Sequence, residues 1–235
     1  PRLGDISVHE QSITFLTGNL SSDGVGDSLK AHSRNRIIPL RVRMPDAEEW
    51  LGWAMNNDIA PEICAWVKQF PHAMASYTDG NQDSNEFIYN PKKMQIAFVS
   101  PRSLERVSNI VKVRSQLDAD SLIAAMSGAV GEAASRAMQA YIEFADQLPT
   151  WESVIASPRT ASVPDSAGAC AIVVFGAISK VDKSTINPFM DYIERFNAEW
   201  QACFAINIAK TPSKQAVAFS SKKFADWVQR NEDLL

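Results

Sequence analysis

The 235-residue chain is poor in histidine and cysteine, has no long apolar run and shows no basic excess. Each shortage removes a class of function. Cys64, Cys170 and Cys203 are odd in number and far apart in apolar surroundings. That excludes a disulfide framework and reads as reduced thiols of a cytoplasmic protein. His9, His32 and His72 do not combine with them at any metal-ligand spacing, so no zinc site is expected. No apolar run approaches the roughly 18–20 residues that a membrane-spanning helix needs. The net charge of −4 argues against a dedicated nucleic-acid binder, whose usual mark is a strong basic excess. No Ser/His/Asp or Cys/His arrangement stands out, and Glu143 with Asp146 at i, i+3 reads as a solvated helix face. There is no G-x-x-x-x-G-K-[ST] cradle for phosphates, and no apolar run ends in Asp-Glu to hold Mg²⁺.

What is present is a globular composition, 46% hydrophobic and 21% charged, in a chain long enough to bury a sizeable core. Two strands are expected at the front. Ser12 to Leu16 is rich in β-branched and aromatic residues and ends near Gly18. Ile37 to Arg43 alternates Leu40 and Val42 with Arg41 and Arg43, and Pro39 inside it makes it an edge strand. The start at Pro1, with a strand-like segment close behind, suggests the C-terminal part of a longer polypeptide.

Helices are expected after Pro45. Asp46 with Glu49 forms a capping pair, and Ala47, Trp50, Leu51 and Ala54 follow on one face. Pro61 suits the first position of a second helix with the stripe Ile63, Trp66, Val67 and Phe70. The run DGNQDSN, Asp79 to Asn85, has no apolar anchor and reads as a surface loop. A third helix opens at Ser100-Pro101-Arg102. An Ala-rich helical stretch runs from Asp120 to Leu148, with Gly128 and Gly131 marking a break or a close helix contact. A loop-rich connection from Thr150 to Asp165 precedes helical segments near Gly168–Ser179, Pro188–Lys210 and Ser221–Asn231.

Four residues are candidates for chemistry. Asn19 follows a strand, where an amide can orient a water or donate to a phosphate oxygen; it equally suits a left-handed turn after Gly18. Arg34 and Arg36 are two residues apart and, in an extended segment, present two guanidiniums to one side. With Arg41 and Arg43 they raise the question of nucleic acid, but no aromatic is interleaved to stack bases. Arg102 lies in the first turn of its helix, where the dipole disfavours a cation. It is placed either for a bound anion or for an ion pair with Glu105 at i+3. Gly24-Val25-Gly26 lacks the rest of a phosphate cradle and reads as a flexible loop.

In this order, "ITFLTGN", "LKAHSRNRIIPLRVRMP" and "FVSPRSLERVS" resemble the C-terminal part of an AAA+ ATPase, nearest the MoxR-type branch and its phage-encoded relatives. The resemblance implies that Asn19 is the sensor-1 residue, Arg36 the arginine finger with Arg34 as understudy, and Arg102 the sensor-2 arginine. It implies a mainly α chain. Residues 1–44 would be the remnant of an α/β AAA+ core (two strands), and 45–235 a helical lid and C-terminal helical extension. ATP with Mg²⁺, a homo-oligomeric ring and a protein client come with it. The missing cradle and Mg²⁺-binding motif would lie upstream of Pro1. A second reading is a non-enzymatic helical protein-interaction module without nucleotide binding.

Overall fold

The structure, a computed structural model, describes residues 2–3, 5–13, 15–18, 36–40 and 42–234. The chain divides into two compact units, Pro1–Arg43 and Met44–Leu235.

In the first unit, β1 (Arg2–Leu3) and β2 (Ile6–Ser7) pair antiparallel, with Arg2 opposite Ser7 and Leu3 opposite Ile6. The two strands expected at 12–16 and 37–43 are not formed by the described residues there. A strand needs a neighbour to take its backbone hydrogen bonds, and pattern alone does not supply one. Ile38, Leu40 and Val42 are 88%, 84% and 93% exposed, an alternating apolar set with no cover among the described residues.

The second unit is helical, and local sequence explains how its helices begin. Helix α1 (Ala47–Ala54) opens on the expected capping box: Glu49 N–H donates to Asp46 Oδ1 at 2.9 Å and Asp46 N–H to Glu49 Oε2 at 3.1 Å. Pro61 is the first residue of α2 (Pro61–Gln69), where its missing N–H costs nothing. Helix α3 is Pro101–Lys112. The Ala-rich stretch is two helices, α4 (Ala119–Val130) and α5 (Glu132–Gln147), broken at Gly131. That glycine has φ +88°, and a Cβ on it would lie 2.8 Å from the Ala97 carbonyl oxygen, so the break is also a close approach. Gly128 stays inside α4 with open space around it.

Beyond Pro149 the structure adds helices that the sequence pattern did not separate. A short α6 (Trp151–Ala156), capped by Thr150, interrupts the loop-rich connection. Helix α7 (Ala167–Lys180) matches its expected place. The segment 188–210 is split into α8 (Ile186–Ile193) and α9 (Ala198–Lys210), because Asn197 caps a new helix by accepting from Trp200 N–H. Helices α10 (Pro212–Ser220) and α11 (Lys222–Arg230) finish the unit.

Helix α2 is its centre. Glu62, Ile63, Cys64, Ala65, Trp66 and Val67 are all buried, so the helix is enclosed on every side. It packs against α7, α5 and α1. Trp66 packs against Phe70 in a tilted pair and edge-to-face against Phe87, at 5.4 and 5.2 Å between ring centroids, which ties the loop after Asn85 to the core.

Candidate functional site

The start of α3 is built with care. Val99 N–H donates to Phe87 O at 2.7 Å, fixing the approach to the helix. Ser100 N–H donates to Ser103 Oγ at 2.8 Å while Ser103 N–H donates to Ser100 Oγ at 3.1 Å. Ser103 Oγ also donates to Phe98 O at 3.0 Å, and Pro101 takes the first helical position. Arg102 projects from this first turn, which contains no acidic residue. It is exposed and has no hydrogen bond or ion pair with any described residue. The local pair with Glu105 is therefore not made. A free guanidinium beside a helix N-terminus leaves both partners attractive to an anion.

Of the other candidates, Arg36 is exposed in a turn of the first unit. Asn19 and Arg34 lie outside the described residues, as does Arg41. Arg36 and Arg102 belong to different units.

At the other end of α3 is a groove of about 630 Å³. Lys112 donates to Asp58 at 2.8 Å. Arg114, just past the helix, bridges Glu62 at 3.2 Å and Asp146 at 2.8 Å and donates to Val111 O. Asp146 is thus half of an ion pair and not merely solvated. The Glu62 side chain is 8% exposed, so Arg114 supplies the countercharge for a buried carboxylate in the first turn of α2. Sequence reasoning missed this cluster. The visible signal was a carboxylate at the second position of a helix otherwise apolar all round.

The hydroxyls lining the groove are engaged in structure. Thr150 Oγ1 caps α6 by accepting from Ser153 N–H, and Ser179 Oγ donates to Gly176 O. Neither a histidine nor a cysteine lines the groove. Burial pushes the Cys64 thiol up to about 12, with the Glu62 carboxylate adding to the effect. Burial likewise raises Cys170 and Cys203, so none of the three is set up as a thiolate.

Comparison of the chain with protein-family models, curated proteins and solved structures found no match.

Proposed function

We infer that the chain is the sensor-and-lid portion of a ring-forming AAA+ ATPase of the MoxR type, which couples ATP hydrolysis to remodelling of a protein client. The observation that carries this reading is Arg102, a free cation against the dipole of a capped twelve-residue helix. Such an arginine suits a role in reaching nucleotide phosphates from a helical lid. The uncovered alternation of Ile38, Leu40 and Val42 supports the same reading, because it suits an edge strand whose sheet is completed by other parts of a longer polypeptide. In this scheme Asn19 positions the attacking water. Arg36, with Arg34 beside it, reaches the neighbouring subunit's ATP·Mg²⁺ and stabilises charge in the transition state. Residues 1–44 are the core remnant and 45–235 the lid with its extension, working in the cytoplasm.

ATP turnover of the full-length protein tests this. Arg36→Ala is expected to lower kcat by about 10³–10⁵, the range for an arginine finger. Asn19→Ala is expected to lower kcat as well, and Arg102→Ala to weaken ATP binding. Wild-type turnover in both Arg36→Ala and Asn19→Ala would overturn the assignment.

The second reading, a non-enzymatic helical interaction module, is favoured by one feature. Met94 and Ile96 are fully exposed on an ordered loop of the helical unit. Absence of ATP affinity and turnover in the full-length protein selects that reading.

A further inference from the structure

Residues 157–166 join α6 to α7 and have no regular structure from 162 to 165. Inside the segment, Thr160 N–H and Ala161 N–H turn back to Ser157 O at 3.1 and 2.8 Å. Among the described residues, no backbone–backbone hydrogen bond ties 158–165 to the rest of the unit. Side chains supply the ties instead. Arg195 Nη1 donates to Pro158 O at 2.8 Å and to Ala161 O at 2.6 Å. The Tyr192 hydroxyl donates to Ser162 O at 2.7 Å, and Cys170 Sγ to Pro164 O at 3.4 Å. The Arg195 guanidinium lies over the Tyr192 ring, 5.7 Å from its centre, so the two main donors brace each other.

Apolar contact adds little to this hold. Ala161 is buried and Val163 packs half-buried against the core, whereas Ser157, Arg159, Thr160, Ser162 and Asp165 are exposed. A segment with few buried side chains and few backbone bonds opens at a lower free energy than the core beneath it. What lies beneath it is specific. Val163, Pro164 and Asp165 line a pocket of about 510 Å³ together with Cys170, Phe196 and Trp200. The bond to Pro164 O places the segment directly on the Cys170 thiol, which is buried.

We propose that residues 158–165 are a strap, latched by Arg195 and Tyr192, that opens as a unit while the helices stay folded. The hinges are the residues at its two ends, 157 and 166, which absorb the change in backbone angles. Opening enlarges the pocket and bares the Cys170 thiol. The latch sits at the end of α8 and just past it, so one short stretch of chain controls the whole strap. None of this rests on the ATPase reading, and it is measured without nucleotide.

Pulse labelling of the full chain with N-ethylmaleimide at about pH 8, where an uncovered thiol reacts readily, is the test. Peptide mass spectrometry reads each thiol separately. Cys64, enclosed on α2, is the internal reference for unfolding of the whole unit. Cys170 is expected to label at least about 10-fold faster than Cys64. Its rate is expected to stay nearly flat in low urea while that of Cys64 climbs steeply, because a strap exposes far less surface than unfolding does. Arg195→Gln and Tyr192→Phe each remove latch bonds and are each expected to speed Cys170 labelling roughly 5-fold or more, with the flat urea response kept. Circular dichroism checks that both stay folded. Tyr192→Phe keeps the ring that packs on Phe196 at 5.2 Å, so it remains informative where Arg195→Gln is unstable. Cys170 labelling with the rate and urea slope of Cys64 overturns the proposal, since the segment then opens only with the whole unit. So does fast Cys170 labelling that neither variant changes, since the latch then holds nothing.

Discussion

Arg114 reaches from the end of one helix to Glu62 in the first turn of another, 3.2 Å away, and is the cation that neutralises this buried carboxylate. The same guanidinium holds Asp146 near the end of α5, so three helices meet on one side chain. Removing it leaves Glu62 buried without a partner. Arg114→Met is expected to destabilise the helical unit by about 2–4 kcal/mol, somewhat discounted from a fully buried pair because Arg114 is 27% exposed. Adding Glu62→Gln, which removes the orphaned charge, is expected to restore a large part of that loss. Urea unfolding of the single and double variants measures both values.

Gly131 and Gly128 are three residues apart and predict opposite outcomes. Gly131 combines φ +88° with a Cβ position 2.8 Å from Ala97 O, backbone that cannot yield cheaply. Gly131→Ala is expected to cost about 2 kcal/mol or more, from the left-handed conformation and the clash together. Gly128 is helical with nothing within 4 Å of an added Cβ. Gly128→Ala is expected to stabilise by about 0.5–1 kcal/mol. Thermal midpoints that move in opposite directions bear this out; a shared direction refutes it.

Asp182 Oδ1 accepts from Ser184 N–H and Oγ at 2.8 and 2.7 Å and from Thr185 N–H and Oγ1, both at 2.9 Å. These donors, the Ser184 hydroxyl foremost, hold the exposed carboxyl down to about 2 from an ordinary 3.8. The folded value is depressed, so the turn before α8 is fully supported above the ordinary value and loosens as pH falls through about 2. An NMR titration of the Asp182 carboxyl reads this directly. Ser184→Ala is expected to move its midpoint upward toward 3.8, and an unmoved midpoint counts against the arrangement.

How much of this was legible in the sequence depended on how local its cause is. Asp46 and Glu49, Pro61, and Ser100 with Pro101 each announce a helix start within four residues, and each was read correctly. Asn197 was passed over because the apolar pattern on either side continues through the break that it caps. Ser12–Leu16 and Ile37–Arg43 carry strand composition, but pairing is a property of a second segment, and the described residues there form no ladder. The groove is the extreme case. Glu62, Arg114 and Asp146 are separated by dozens of residues, and only the packing of α2 against α5 brings them together. Arg102 lies between these limits. Its position in the first turn is local and legible, whereas its lack of a partner among the described residues is a property of the fold.

Cys64 carries a prediction for alkaline pH. It is buried on α2, and desolvation, reinforced by Glu62, lifts its thiol from an ordinary 9.0 to about 12. Between those values the unfolded chain has released a proton that the folded chain still holds. Stability therefore falls as pH rises through that window, by up to about 1.4 kcal/mol per pH unit from this group, and is untouched below about pH 8. Tyr192, lifted by burial from 10.0 to about 12, acts in the same direction from a higher starting point. Urea midpoints at about pH 7.5 and about pH 10 separate the two, because Cys64→Val removes the part of the slope that begins near 9 and leaves the tyrosine part. In the folded wild type the same thiol is expected to resist a disulfide reagent at neutral pH and to react at the rate of unfolding. Fast labelling of Cys64 in native conditions, or an unchanged slope in Cys64→Val, would show that α2 is not closed around it.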